Sequence, residues 1–443
     1  MTKHAIKQEF LNRCSWILIG VLAFVLPFSL NTTFANGKLG LSIPSEPLMA
    51  LGCILFGIGC ILQKDYLRKA FNHPVSWVLG LYLLWVLVSA LCSELPVVAL
   101  KSWIVKVWFI LTGYFLTLMV LTDLKRIERV LWLLVVAMSL VSFYGLIKLY
   151  IVGYSYETAF YMTAPFFKEH TNYSAVTAFL LPIAAYFAIH KSANKLQRYV
   201  AIAMTVVLLG GVIFSVCRAA WISVVVMMGV FGLIYFKIKI RWLVSGIVVA
   251  MALLFVFQKP IVTVLERNTT DKSDNFSDLI VSSFNYRSSE SNLERLNRWQ
   301  CGLRMAAERP ILGHGAGTYQ FLYTAYQKPE EMVPNVSTMN GNSNVHQEYL
   351  MPLVDAGIPA FILFLVLVFY IFRLTYHNCR TQTVVPSKLS IALFLGFVTF
   401  FVHGFFNSFL ELDKSAIPFF TFVAMLVSVQ RLNKGLSVEC GCQ

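Results

Sequence analysis

Ser291-Asn292-Leu293-Glu294-Arg295-Leu296-Asn297-Arg298-Trp299, Gly313-His314-Gly315-Ala316-Gly317 and Val345-His346-Gln347-Glu348-Tyr349-Leu350 punctuate one polar stretch, Lys259 to Gln347, in an otherwise apolar chain. On both sides of it, apolar runs recur at the roughly 17–25 residues a helix needs to cross a bilayer. Hydrophobic residues make up 58% of the chain and charged residues only 13%, against about 25% charged in soluble domains. An ordinary soluble protein is therefore excluded. Twelve runs are predicted to span: 14–32, 43–62, 75–92, 99–121, 128–150, 171–190, 199–215, 219–236, 241–257, 349–372, 387–409 and 415–430. The first has the basic flank of a signal peptide, but the many spans after it make it the first of the set. The expected fold is all-α, a polytopic integral membrane protein of about twelve helices in three parts. Residues 1–257 hold spans one to nine, 258–348 a large loop containing helices, and 349–443 the last three spans and a tail.

Loop charges orient the bundle. Lys3, Lys7 and Arg13 precede span one. Every second loop is again basic: Lys64, Arg68 and Lys69; Lys125, Arg126 and Arg129; Lys191, Lys195 and Arg198; Lys237, Lys239 and Arg241; Arg373, Arg380 and Lys388. Arg431 and Lys434 follow span twelve, and the opposite loops hold only scattered cations such as Lys38, Lys168, Arg218 and Lys414. Lys and Arg accumulate in cytoplasmic loops, so both termini are expected inside and 258–348 outside. The net charge of +14 is this topology signal and not a nucleic-acid surface. The nine cysteines show no metal-ligand spacing; Cys440 and Cys442 form the nearest pair. No metal and no cofactor are expected.

Within the polar stretch, Asn268–Ser289 reads as irregular and Lys328–Asn344 as a loop. Asn268-Thr269-Thr270 and Asn335-Val336-Ser337 fit a glycosylation sequon, a triplet that chance readily supplies. From Ser291 the spacing of Leu293, Leu296, Gln300, Leu303 and Ala307 predicts a helix. Ser291 and Glu294 are placed to cap it, and Pro310 and Gly313 to end it. Arg295 and Arg298 share a face. Glu294 reaches Arg298, while Arg295 has no acid one turn away, which suits an anion at a helix start. The competing reading is a solvated face with one ion pair. Arg218 lies between spans seven and eight, where a retained charge suggests a partner or an arginine reaching for the interface. His346, just before span ten, has the chemistry of a general base. His170 and Asn172 begin span six, and Lys106 lies about two turns into span four. His403 and Asn407 stand four apart on span eleven, so they are expected to face the same way, as packing residues or as part of the site. Gly313–Gly317 lacks the Lys-Ser/Thr of a phosphate loop and reads as a turn.

Three patches together resemble the bacterial O-antigen ligase and polymerase superfamily. Ser215-Val216-Cys217-Arg218-Ala219-Ala220-Trp221 is similar to its S-x-S-R-G/A-A-W turn, with Cys217 in place of Ser. Glu294–Trp299 with Pro310-Ile311-Leu312-Gly313-His314-Gly315 is similar to its R-L-x-x-W helix and P-L-x-G-x-G turn. His346-Gln347, nine residues and Gly357 match the ligases' H-N/S/Q-x9-G, with Ala360 where Gly, Thr or Tyr is usual. His403–Asn407 is similar to a late H-S/G-x-x-E/D/N stretch. The likeness covers spans six to twelve in motif and the first five in topology.

The resemblance implies a GT-C-like glycosyltransferase of the bacterial inner membrane with a periplasmic site. The donor would be a glycan on undecaprenyl pyrophosphate and the acceptor a sugar hydroxyl of lipid A-core. Arg218, Arg295 and Arg298 would neutralise the pyrophosphate and His346 would take the hydroxyl proton, inverting the anomeric centre without a metal. Lys106, His170, Asn172, His403 and Trp299 are further candidates for holding substrate, with membrane lipids as surroundings. A polymerase shares that donor, and a protein O-glycosyltransferase is a third reading. A twelve-span transporter is disfavoured: no internal repeat is evident, and the large loop is off-centre and on the outer side.

Overall fold

The structure is a computed structural model that describes residues 3–34, 39–189, 194–237, 290–329, 344–379 and 384–440. Among these, ten helices are long and apolar enough to cross a membrane, and Ser387–His403 is a shorter apolar one. The long helices before the polar stretch are α1 (Lys3–Val25), α2 (Ser45–Leu62), α3 (Pro74–Leu91), α4 (Pro96–Ile110), α5 (Leu124–Val152), α6 (His170–Ile189), α7 (Lys195–Phe214) and α8 (Arg218–Tyr235). After 238–289 come α9 (Glu290–Glu308), α10 (Leu350–Cys379), α11 (Val384–His403) and α12 (Asp413–Cys440). The chain is thus an all-α polytopic membrane protein. The expected ninth span (241–257), Lys191, Lys239, Arg241, Arg380, stretch 268–289, most of loop 328–344, both sequons and Cys442 lie outside the described residues.

One departure from all-helix is a two-stranded antiparallel ribbon between α1 and α2. Its strands β1 (Leu30–Phe34) and β2 (Leu39–Ile43) pair Leu30 with Ile43 and Thr32 with Leu41. Thr32 and Thr33 beside Phe34 supply the β-branched and aromatic residues that favour a ribbon.

The bundle is organised around α6, which packs on α7 and α11, while α8 packs on α11 and α3 on α10. Small residues make these crossings close, the means by which helices associate in lipid. A Cβ on Gly396 of α11 would lie 2.7 Å from the Phe179 carbonyl oxygen of α6.

Helix α10 is broken near its start. Ala356 (φ −141°) and Gly357 (φ 73°, ψ −171°) leave helical geometry, just before Pro359. The break exposes carbonyls that would otherwise be paired within the helix. The turn after α9 fills it. Its His314 N–H donates to Val354 O at 3.0 Å and its Gly315 N–H to Asp355 O at 2.8 Å. In return the Ile358 N–H donates to Pro310 O at 2.7 Å. From α3, Trp85 Nε1 donates to Ala356 O (2.8 Å) and Ser89 Oγ to Asp355 O (2.9 Å). The glycine-rich turn and Gly357, which follows His346-Gln347 after nine intervening residues, are therefore two halves of one joint.

Candidate active site

The joint seats α9 against the start of α10. Helix α9 begins at Glu290, one residue before the expected start at Ser291, whose side chain lies outside the described residues. Glu294 pairs one turn further along the helix. Its Oε1 accepts from Arg298 Nε at 2.8 Å. Arg298 is fully buried (0% exposed), lies 5.0 Å over the Tyr323 ring, and donates from Nη1 to Asn344 O at 3.3 Å. Tyr319 OH donates to the Arg298 carbonyl at 3.0 Å. Such a paired, enclosed guanidinium holds α9 onto the segment that carries His346. Trp299 acts alongside it, with Nε1 donating to His346 O at 3.4 Å.

His346 has φ 54°, a left-handed backbone uncommon for a residue with a Cβ. Two amides accompany that geometry. The His346 N–H donates to Asn344 Oδ1 at 3.0 Å, an Asx-type turn. Its ring Nδ1 lies 3.1 Å from Asn407 Oδ1. An amide oxygen there accepts a hydrogen bond from Nδ1–H, which leaves Nε2 as the basic nitrogen. Burial, then the charges of Arg298 and Arg295, hold the imidazole down at about 4, with the Asn407 bond acting the other way. The ring is neutral at pH 7 and able to accept a proton.

Beside His346 opens a cavity of about 290 Å³ lined by Asn172, Tyr319, Asn344, Asn407, Ser408 and Glu411, among others. Three of its polar atoms have no hydrogen-bond partner among the described residues: Asn172 Oδ1, Asn407 Nδ2 and Ser408 Oγ. Asn407 and Ser408 are buried. Unsatisfied buried donors and acceptors carry a desolvation cost, which a hydroxyl-rich ligand would relieve.

The other candidates gather in two places. Arg218 and Arg295 are charged neighbours of His170, and Arg295 is also one of His403. His170 packs edge-on against Phe160, with ring centroids 4.2 Å apart. The turn that delivers Arg218 is tight: Val216 has φ 51°, an outlier for a β-branched residue and the kind of strain that collects at functional sites. The expectation that His403 and Asn407 share a helix face is corrected, because α11 stops at His403 and residues 404–412 form a loop. His403 Nε2 instead lies 3.7 Å from Cys217 Sγ, and Asn407 turns to His346.

Lys106 does not enter the open cavity. Its Nζ lies 3.8 Å from Asp355 Oδ2, in an inner cavity with Tyr82, Glu348 and Glu411. Met351 and Glu411 line both spaces and form the wall between them. Glu348, buried just before α10, accepts from the Phe409 and Leu410 N–H groups at 2.5 and 3.2 Å. Burial pushes it up to about 7, partly offset by those two bonds. It ties the 404–412 loop to the His346 segment.

Asn344, Ser408 and Glu411 escaped the sequence reading. Asn344-Val345-His346 carried a signal, an Asx turn two residues ahead of a histidine. Glu411 carried none, because it reaches the site only through the packing of the 404–412 loop. Among the described residues, no group of three His, Cys, Asp or Glu is arranged to hold a metal ion.

The fold and site define a multi-pass membrane protein with a neutral histidine, a polar cavity and adjacent arginines. Residues 203–365 match the family model described as O-antigen ligase. Over that stretch, a little over a third of the chain, the sequence is similar to that family. Residues 39–192 match a second family, described as of unknown function. An uncharacterized protein of Haemophilus influenzae is 25% identical over 264 residues, 57% of this chain and 61% of that protein. The chain thus spans about three fifths of the curated relative it matches.

Proposed function

We propose that the chain is an O-antigen ligase. It transfers a glycan from undecaprenyl pyrophosphate to a sugar hydroxyl of lipid A-core at the periplasmic face of the inner membrane. One observation carries the reading: His346, neutral and held through Nδ1 by Asn407, faces a cavity with unsatisfied polar atoms while Arg295 acts on it electrostatically. The acceptor sugar enters that cavity and gives its hydroxyl proton to His346 Nε2. The oxygen attacks the anomeric carbon from the face opposite the pyrophosphate, so the centre inverts. The sugar–phosphate bond breaks and its electron pair leaves with polyprenyl pyrophosphate. Arg295 and Arg218 stabilise the charge that develops there, as placed cations do in a site shielded from water. Arg298 contributes its field and fixes the helix. The imidazolium then releases its proton to the outer solvent, and the reaction needs no metal in this scheme.

A polymerase would run the same step with a second carrier-linked glycan as acceptor. Purified protein in vesicles with carrier-linked glycan, offered each acceptor in turn, separates the two. Transfer to lipid A-core supports the ligase reading. Transfer to carrier-linked glycan alone assigns a polymerase, and transfer to neither contradicts both.

A further inference from the structure

We propose that Asn344 and Glu411 form a positioning pair that sets the working orientation of His346. The inference rests on His346 being the base.

The His346 backbone is in a region that side-chain-bearing residues seldom occupy, so something must hold it there. The Asn344 side chain does so with Oδ1, which accepts the His346 N–H at 3.0 Å. An amide, however, has two nearly isosteric ends. Turned over, it would present Nδ2 to the His346 N–H, donor against donor, and release the turn. Glu411 prevents that. Its Oε2 accepts from Asn344 Nδ2 at 3.0 Å, and an ionised carboxylate accepts only. The orientation of one amide is thereby read from a carboxylate 67 residues further along the chain.

The same residue connects the site to α9. The Asn344 carbonyl accepts from Arg298 Nη1 at 3.3 Å, and the His346 carbonyl accepts from Trp299 Nε1 at 3.4 Å. His346 is therefore held at its N–H, its carbonyl and its ring, from the 404–412 loop on one side and α9 on the other. Asn344 and Glu411 act through His346 and need touch no reacting atom.

The test exchanges the two chemistries. Asn344→Asp still accepts the His346 N–H but places a second carboxylate against Glu411. Adding Glu411→Gln restores a complementary pair with donor and acceptor reversed. In vesicle-reconstituted full-length protein, Asn344→Asp is expected to lower kcat on the order of 10²-fold, the scale of an ångström-sized misplacement. The donor KM stays close to that of the native protein. The double variant Asn344→Asp/Glu411→Gln should recover most of that loss. A double variant no faster than Asn344→Asp, or Asn344→Asp with native kcat, overturns the pair. Should a variant fold poorly, its donor binding falls as well, and Asn344→Ala measured beside Glu411→Ala decides: native kcat in both overturns the proposal, and a kcat loss in both supports it. His346→Ala is run in parallel. Native rates in His346→Ala remove the base reading itself, whereas an inactive His346→Ala with fully active Asn344 and Glu411 variants removes only the pair.

Discussion

His346 Nδ1 stands 3.1 Å from Asn407 Oδ1, joining the segment before α10 to the loop after α11. The pair sets the tautomer of His346, while burial and charge set its titration. Burial and the neighbouring arginines keep the imidazole at about 4, so the base is competent above that pH and is lost by protonation below it. The acidic limb of kcat/KM is expected near pH 4. Asn407→Asp puts a carboxylate beside Nδ1, favours the imidazolium, and moves the limb upward. Stability follows the same sign. Between the ordinary histidine value of about 6.5 and 4, the unfolded chain binds the extra proton, so His346 lowers stability as pH falls through that window. A limb at about 6.5, unmoved by Asn407→Asp, contradicts this account.

Glu348 tests burial against hydrogen bonding. Glu348→Gln keeps an oxygen for the Phe409 and Leu410 N–H groups, whereas Glu348→Leu strands both, at about 1–3 kcal/mol each. Glu348 is held up to about 7 from its ordinary 4.5. Its contribution is therefore full below 4.5 and is lost as pH rises through 7. Thermal unfolding in detergent should show Glu348→Gln less pH-dependent than native across that window and Glu348→Leu destabilised throughout. Equal midpoints for the two variants would refute the hydrogen-bonding role.

Lys106 and Asp355 are expected to stabilise the fold rather than hold donor. Asp355 is 2% exposed, and removing one partner of a buried ion pair costs about 3–5 kcal/mol. Lys106→Met should lower the unfolding midpoint sharply, and Asp355→Leu added to it should restore most of the loss. If Lys106→Met raises the donor KM with an unchanged midpoint, Lys106 belongs to the donor site instead.

Gly357 admits no side chain. A Cβ there would lie 2.1 Å from the Ile311 carbonyl oxygen, and its φ 73°, ψ −171° backbone belongs essentially to glycine. Gly357→Ala should fail to accumulate as folded protein, as judged by monodisperse chromatography in detergent. Native yield and activity would show that the joint is not required.

Much of this architecture is legible in the chain because a bilayer demands long apolar helices. Each described span from α1 to α8, and α10 to α12, falls on an apolar run. The end of α11 at His403 is not legible, since Phe405 and Phe406 continue the apolar pattern into a loop. Of the proposed site residues, His346, Arg295 and Arg218 announce themselves by motif, and Arg298 by its spacing from Glu294. The burial of Arg298 under Tyr323 does not, nor does the exclusion of Lys106 behind Met351, because both depend on contacts between distant segments. The H-Q-x9-G spacing is visible in sequence, yet its reason, a helix break filled by the 310–315 turn, is tertiary.

The most direct measurement of the central claim is a single-turnover comparison of native, His346→Ala and Arg295→Ala protein in vesicles, following donor binding and glycan transfer separately. The account predicts that His346→Ala binds carrier-linked donor normally and transfers at least about 10²-fold more slowly, within the range for loss of a general base. It predicts that Arg295→Ala loses both donor binding and transfer. Native transfer by His346→Ala, or native donor binding and transfer by Arg295→Ala, would contradict it.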